Sequence, residues 1–423
     1  MVHHATHRSG ANDERSAAAP LVSRLRRFGT TIFSEMTALA QANDAINLGQ
    51  GFPDEDPPAA VLAAAHAALD AGHNQYAPGP GVPVLRAAIA AHQRDHYGLD
   101  VDPDTEVTVT FGATEALAAT LLAVCEAGDE VVVLEPTYDA YTAAIAMAGA
   151  REVRVPLTPP TGQPPADASH PAAAGAAGER PAWYLDVDRV AAAITPRTRV
   201  LLCNSPHNPT GTVLDTTVLD ALAELCVAND LIAVTDEVYE HLVYDGTHVP
   251  LATRAGMAER TVTISSAGKT FSCTGWKIGW ACAPAALTAA VRTTKQFLSF
   301  AGGTPLQHAV ATALTLPAAQ LLAVTDLHRR RRDLVVDALL AAGLPTTRAA
   351  GTYFVTSDVA AVGWDDGAAF CRWAPGSLGV AAVPVSAFVD DPEPVRSLVR
   401  FAFCKPEPVL EEARRRLVAG LRP

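Results

Sequence analysis

The chain has 423 residues, of which 49% are hydrophobic and 18% are charged, and its formal net charge is −13. This composition predicts a globular protein with about two or three domains' worth of residues. The negative charge argues against nucleic acid as a main partner, and no apolar stretch reaches the roughly 18 residues of a membrane span. The seven cysteines are scattered without a C-x-x-C pair, so no metal site or disulfide framework is predicted.

Short apolar runs alternate with Ala- and Leu-rich helical patterns along most of the chain. Residues 1–21 are polar and predicted to be a disordered tail, and they lack the apolar core of a secretory signal, so a cytoplasmic location is expected. The predicted strands are Glu106–Phe111, Glu130–Leu134, Arg199–Cys203, Leu231–Thr235 and Arg260–Ser265. Predicted helices are Thr114–Cys125, Thr216–Ala228 and a long one from about Pro284. Such alternation predicts an α/β fold with a mainly parallel central sheet and helices on both faces.

We predict four segments on this basis: the tail, an N-terminal arm with part of a small domain (22–60), a large domain (61–300) and a small C-terminal α+β domain (301–423). A Pro-, Ala- and Gly-rich stretch at 159–181 is predicted to form a mobile surface loop. The basic run Arg329–Arg332 lies in a helical pattern and is predicted to be a solvated face.

Two of the four lysines, Lys269 and Lys277, lie in one run of small, apolar and aromatic residues, Ser265–Trp280. A lysine in a desolvated site has a lowered pKa and can act as an amine nucleophile toward carbonyls, including that of pyridoxal phosphate (PLP). The alternative is a lysine that extends its charged end into solvent. The run by itself leaves both interpretations open.

Polar residues follow three of the predicted strands, where parallel sheets bind their ligands. Gly112–Ala116 opens a helix and could cradle a phosphate, although Thr114 could equally be a plain cap. The Pro- and Gly-containing loop Asn204–Gly211 could aim the Asn208 amide at a ring oxygen or be a simple turn. Asp236 ends an apolar strand, where a carboxylate needs a partner such as a protonated pyridine nitrogen.

Taken together, these motifs resemble the PLP-dependent, fold-type I, class I and II aminotransferases. Within that superfamily the chain is similar to the actinobacterial N-succinyldiaminopimelate aminotransferases and to the kynurenine, glutamine and methionine aminotransferases. The resemblance runs from about Val22 to the C-terminus. The matching strings are Ile46–Asp54, Asn74–Tyr76, Gly112–Glu115, Ser205–Gly211, Asp236–Glu240, Ser265–Trp280, Gly351–Phe354 and Val399–Phe401.

The resemblance implies a role for each matching residue. Lys269 would be the Schiff-base lysine and the proton shuttle, and residues 61–300 would form the PLP-binding domain. The implied cofactor ligands are Asp236 at the pyridine nitrogen, Tyr239 and Asn208 at the phenolic oxygen, Tyr138 stacked on the ring, and Ala113, Thr114, Ser266 and Lys277 at the phosphate. Arg400 would bind the substrate α-carboxylate in a bidentate fork, with Gly51 and Asn208 beside it. Without the family match, Arg400 would be read as an ordinary salt-bridge partner.

The family also implies a homodimer with shared active sites, because Tyr76 would reach the phosphate of the neighbouring subunit. The implied reaction moves an amino group between an L-amino acid and a 2-oxo acid. The resemblance to the N-succinyldiaminopimelate aminotransferases predicts N-succinyl-LL-2,6-diaminopimelate with 2-oxoglutarate, a step of lysine biosynthesis, and a second cation near the pocket for the long acidic side arm. The alternatives are a broad kynurenine, methionine or glutamine aminotransferase with an apolar or aromatic pocket, and a cysteine-conjugate carbon–sulfur β-lyase. Phe111 stands where the family pattern predicts a smaller aliphatic residue.

Overall fold

The structure is a computed structural model that describes residues 21–29, 31–160 and 178–421. The predicted tail, except Leu21, and most of the stretch 159–181 lie outside these ranges. The helices are α1 (Ile32–Ala42), α2 (Ala59–Asp70), α3 (Pro83–Tyr97), α4 (Gly112–Val124), α5 (Asp139–Ala148), α6 (Val187–Ala193), α7 (Thr216–Ala228), α8 (Ala267–Thr270), α9 (Ala285–Leu298), α10 (Thr304–Leu314), α11 (Ala318–Ala341), α12 (Gly367–Ser377) and α13 (Glu407–Gly420). The strands are β1 (Ile46–Asn47), β2 (Val107–Phe111), β3 (Glu130–Glu135), β4 (Arg151–Pro156), β5 (Glu179–Arg180), β6 (Thr198–Asn204), β7 (Ile232–Asp236), β8 (Thr261–Ser266), β9 (Ile278–Cys282), β10 (Thr346–Thr347), β11 (Phe354–Asp358), β12 (Val380–Ala381), β13 (Val383–Pro384) and β14 (Leu398–Ala402).

A seven-stranded sheet in the order β2-β9-β8-β7-β6-β3-β4 forms the centre of the fold. The strands from β8 to β4 pair in parallel, whereas β9 pairs antiparallel with both β8 and β2. The sequence-based prediction of a mainly parallel sheet is therefore confirmed. The inner strand β3 is apolar between its two end residues because helices cover both faces of the sheet, and Val131–Leu134 are all buried.

The second sheet, with the order β13-β14-β11-β10-β5, is formed by four strands from the C-terminal part of the chain and by β5. The N-terminal strand β1 joins this part by pairing in parallel with β12, and α1 packs on α12. Helix α10 instead packs on α2 and α3 of the part that carries the large sheet. The chain thus crosses between the two parts more than once, which places side chains distant in sequence around the space between the sheets.

The predicted solvated face at Arg329–Arg332 is only half correct. Arg331 and Arg332 are 3% and 4% exposed. The Arg331 guanidinium donates two hydrogen bonds to the Glu55 carboxylate, and Arg332 pairs with Asp245. Both carboxylates are remote in sequence from the helix. The local helical pattern therefore could not predict that Arg331 and Arg332 would be buried as ion-pair partners.

The described ends of the low-complexity stretch lie against the smaller sheet. Strand β5 pairs in parallel with β10, and Arg180 forms an ion pair with Asp358 at 2.5 Å.

In the described ranges, no single helix is long and apolar enough to cross a membrane. Helices α10 and α11 reach the required length and apolar character only when taken together, and a bend of 91° separates them.

Candidate active site

A cavity of ≈ 250 Å³ opens at the carboxyl edge of the large sheet, where it faces the smaller sheet. The parallel strands all end at this edge, so the polar residues after each of them converge there. The antiparallel strand β9 begins at the same edge, which brings Lys277 to it. The predicted site residues that line the cavity are Gly51, Ala113, Thr114, Tyr138, Asn208, Asp236, Tyr239, Ser266, Lys269, Lys277 and Arg400.

The Lys269 amine sits in the cavity and donates a hydrogen bond to the Gly51 carbonyl oxygen at 3.2 Å. Its nitrogen lies 5.8 Å from the Tyr239 ring centroid and 5.6 Å from that of Tyr353. Burial lowers the pKa of Lys269 to about 8, because the charged amine is poorly solvated there. A usable fraction of this amine is therefore neutral near physiological pH, as a nucleophile requires.

The carboxylate of Asp236 lies at the end of β7, and burial raises its pKa. The Tyr141 hydroxyl donates to Asp236 Oδ2 at 2.6 Å, and the backbone N–H of Val238 donates to Oδ1 at 3.3 Å. Both donors favour the charged carboxylate. Tyr141 was not among the predicted site residues, because only the packing of α5 on the sheet brings its hydroxyl to a strand 95 residues away.

The amino end of α4 and the neighbouring residues form a cradle. A Cβ atom on Gly279 would lie 2.5 Å from the Gly112 carbonyl carbon and 2.6 Å from the Ala113 nitrogen, so only glycine lets β9 approach this turn. The Lys277 amine lies beside Gly112, 3.3 Å from where its Cβ would be. Free backbone N–H groups at a helix start together with an ammonium group make a site for an anion.

The Arg400 guanidinium is buried, with 1% of the residue exposed, and no carboxylate in the described ranges forms an ion pair with it. Its Nη1 donates to Asn208 Oδ1 at 2.9 Å, and its Nη2 donates to the Gly49 carbonyl at 2.6 Å. The guanidinium carbon lies 3.9 Å from the Phe354 ring centroid, and Nε has no partner. Burial lowers the pKa of Arg400 to about 10. A buried cation without a counter-charge favours an anionic ligand.

Charge in the cavity is unbalanced. Three cations, Lys269, Lys277 and Arg400, line it with one carboxylate, Asp236. None of the three cations is paired with a carboxylate in the described part of the chain. The family resemblance predicts a further cation near the pocket for an acidic side arm, and the described lining contains no cation other than these three. The excess of positive charge fits one ligand with a phosphate and another with a carboxylate.

The Tyr76 side chain lies apart from the cavity. Tyr76 is 83% exposed and meets Phe300 edge-on at 5.8 Å between ring centroids. Within this chain, it therefore does not contribute to the site.

The Phe111 ring fits because residue 302 is glycine, where a Cβ would come within 1.7 Å of Phe111 Cε2. The larger side chain at 111 is thus accommodated at the surface, where it is 41% exposed.

Comparison with known proteins gives the family context of this geometry. The family described as aminotransferase class I and II matches residues 43–417. A Mycobacterium tuberculosis protein, "Probable N-succinyldiaminopimelate aminotransferase DapC", is 51% identical over 405 residues, or 94% of this chain and 97% of that protein. The methionine aminotransferase of Escherichia coli K12 is 39% identical, with 94% of this chain and 98% of that protein covered. The solved N-succinyldiaminopimelate aminotransferase from M. tuberculosis is 51% identical, has a TM-score of 0.89, and is matched over 95% of this chain and 100% of that chain.

Proposed function

The chain belongs to the class I and II aminotransferases, and we propose that it uses PLP to move an amino group from N-succinyl-LL-2,6-diaminopimelate to 2-oxoglutarate, a step of lysine biosynthesis. The family predicted from the sequence motifs, the fold-type I architecture and the aminotransferase activity are confirmed by these comparisons. The observation that carries the substrate proposal is the 51% identity over nearly the whole chain to a protein named for this reaction.

The residues present fit PLP. A phosphate would be held at the cradle by the amino end of α4, Ser266 and Lys277, where Gly279 leaves no space for a side chain. Asp236, whose charged form is favoured by the hydrogen bond from the Tyr141 hydroxyl, would face the pyridine nitrogen. Tyr138 and Asn208 line the same cavity and would contact the ring and its phenolic oxygen, as would Tyr239.

Bound PLP would supply an electron-withdrawing ring that stabilises the negative charge left when a proton leaves the substrate Cα. Lys269 would attach the cofactor and, once free, accept that proton, because burial keeps part of its amine neutral. Arg400 would orient the substrate through its carboxylate, since Asn208 and the Gly49 carbonyl fix the plane of the guanidinium. The Gly51 carbonyl would hold the free Lys269 amine at 3.2 Å, inside the cavity.

We include a homodimer with shared sites in this proposal. Tyr76, Phe297 and Phe300 are exposed by 83%, 81% and 46%, and large aromatic side chains in such positions are typical of protein interfaces. A second subunit covering them would bring Tyr76 to the phosphate of the neighbouring site. A cytoplasmic location belongs to the same proposal. The molar mass in solution, measured by light scattering, tests the dimer.

The cavity wall favours a second candidate, a broad aminotransferase for methionine or kynurenine. Phe33, Tyr138 and Phe354 give the described lining an aromatic character. The described lining also contains no cation beyond the three already assigned to cofactor and α-carboxylate. A long acidic side arm would find no counter-charge in this part of the chain, whereas an apolar side arm would find contacts.

Steady-state kinetics separate the two candidates. The kcat/KM of the PLP-loaded enzyme should be measured with N-succinyl-LL-2,6-diaminopimelate, methionine and kynurenine, each with 2-oxoglutarate as acceptor. A preference of at least about tenfold for the succinylated donor supports the lysine-pathway reaction, because tenfold corresponds to roughly 1.4 kcal/mol of transition-state binding. A preference for methionine or kynurenine would replace it with the second candidate. Retained turnover in Lys269→Ala would refute the proposed role of Lys269 in transamination. Release of pyruvate from cystathionine would reveal β-lyase activity.

A further inference from the structure

A group of histidine and acidic side chains lies behind the cavity wall. His92 comes from α3, and Glu240 and His241 follow β7 directly after the cavity residue Tyr239. Their potential ligand atoms all lie within 4.8 Å of one another. None of the three lines the cavity, and the proposed transamination does not use them.

The Glu240 carboxylate is buried and has no lysine or arginine partner in the described ranges. It is 6% exposed, and it accepts hydrogen bonds from the hydroxyls of Tyr97, at 2.5 Å, and Ser265. The neighbouring Glu237 has His248 at hydrogen-bond distance, 2.7 Å, whereas His92 Nε2 lies 3.9 Å from the Glu240 carboxylate. A buried carboxylate needs a cation or a metal ion nearby to offset the cost of leaving water.

The two imidazoles beside Glu240 offer nitrogen lone pairs. His92 Nε2 and His241 Nε2 lie 2.7 Å apart, so one of them must accept a hydrogen bond and is therefore unprotonated. His92 Nε2 is 3.9 Å from a Glu240 carboxylate oxygen. Two imidazole nitrogens and one carboxylate oxygen are a donor set typical of Zn²⁺ and unsuited to Mg²⁺ or Ca²⁺.

The separations of His92 Nε2 from His241 Nε2 and from Glu240 are close to those around a tetrahedral ion, and all three ligand atoms lie within 4.8 Å of one another. Metal–ligand bonds of about 2.0–2.2 Å put neighbouring ligand atoms roughly 3.3–3.5 Å apart. The two Nε2 atoms would separate by about 0.6 Å, and His92 would approach Glu240 by about 0.5 Å, shifts that side-chain rotation can supply. His241 is partly exposed, and the exposed His96 ring lies 5.1 Å from it between centroids, so an ion can enter from solvent.

We propose that His92, Glu240 and His241 form a binding site for Zn²⁺ or a divalent ion of the same ligand preference, with a fourth position open toward His96. The ion would balance the Glu240 charge. It would also tie α3 to the segment after β7, two parts of the chain that are 149 residues apart in sequence. The site is a structural clamp next to the cavity, and its ligands are distinct from the groups that would hold PLP.

A zinc titration of the full-length, PLP-loaded enzyme tests this site. After treatment with a chelator and buffer exchange, ZnCl₂ is titrated in competition with a chromophoric chelator. The expected result is one Zn²⁺ per chain, with affinity at least about tenfold weaker in His241→Gln and in His92→Gln, because each removes a ligand. The matched control is His308→Gln, which alters a second histidine pair: His308 stacks on His73 at 3.9 Å, outside the proposed ligand set. This variant should bind Zn²⁺ as the wild type does.

A second readout does not depend on the variants folding. Zn²⁺ should raise the unfolding temperature of the wild-type protein, whereas Mg²⁺ at equal concentration should not, because only the native state presents the three ligands together. Absence of stoichiometric Zn²⁺ binding in the wild type would overturn the proposal. Equal affinity in wild type and His241→Gln, or loss of binding in His308→Gln, would do the same by placing the ion elsewhere.

Discussion

Replacing Arg400 by methionine should separate what its charge costs the fold from what it contributes to the reaction. The side chain is buried, lacks a carboxylate partner in the described ranges, and keeps two hydrogen bonds, to Asn208 and to the Gly49 carbonyl. Methionine fills a similar volume without a charge. We therefore expect a large loss of activity together with a small change in the free energy of unfolding.

The expected size of the two effects follows from the contacts. Each hydrogen bond between charged groups contributes about 1.5–3 kcal/mol, so a bidentate pair with the substrate carboxylate contributes roughly 3–6 kcal/mol, or about 10²- to 10⁴-fold in kcat/KM. For the apoprotein, the lost hydrogen bonds and the contact with Phe354 destabilise by a few kcal/mol, while removal of a buried charge stabilises by a similar amount. The net change should be below about 2 kcal/mol.

The assay pairs kcat/KM for transamination with urea unfolding of the apoprotein. Arg331→Met is the matched control, because Arg331 is equally buried but donates two hydrogen bonds to Glu55. That variant should lose about 1–3 kcal/mol of stability and keep its kcat/KM within a few-fold. A loss of kcat/KM below tenfold in Arg400→Met would refute the assignment of Arg400 to the substrate carboxylate. Destabilisation beyond that of Arg331→Met would show that Arg400 acts mainly in the fold.

Three further predictions concern the cofactor site. The rate at which the apoprotein captures PLP should rise about tenfold per pH unit below the Lys269 pKa of about 8 and level off above it, because only the neutral amine attacks. A capture rate that does not change with pH in stopped-flow measurements would contradict this. Gly279→Ala should weaken PLP binding, measured by equilibrium dialysis, by roughly tenfold or more, because its Cβ would lie 2.5 Å from the backbone at the start of α4. Gly275→Ala should bind PLP normally, because no atom lies within 4 Å of its Cβ. Equal affinities for the two variants would show that the turn adjusts. Tyr141→Phe removes the hydroxyl that donates to Asp236 at 2.6 Å, and this loss raises the pKa of Asp236. The affinity for PLP should therefore fall about tenfold. An unchanged dissociation constant for PLP would show that Asp236 stays charged without the Tyr141 hydroxyl.

Much of the architecture could be predicted from the sequence because its signals are local. The helix predicted at Thr216–Ala228 has those bounds in the structure, where Asp215 caps it by accepting a hydrogen bond from the Val218 N–H. The buried strands were found from continuous apolar runs, which parallel sheets require on both faces. The polar residues after the strands could be assigned to one edge, since all parallel strands of a sheet end on the same side.

The contacts between distant segments were decided by the tertiary structure alone. The sequence indicated Lys277 by its motif, but it is the antiparallel direction of β9 that brings this lysine to the cradle. Tyr141 gave no signal, because its role depends on a hydroxyl reaching a carboxylate 95 residues away. Arg331 was misplaced on the surface for the same reason, since its partner Glu55 lies 276 residues away. Local patterns record which backbone conformation a segment prefers, whereas the partner of a buried charge is set by how the segments pack.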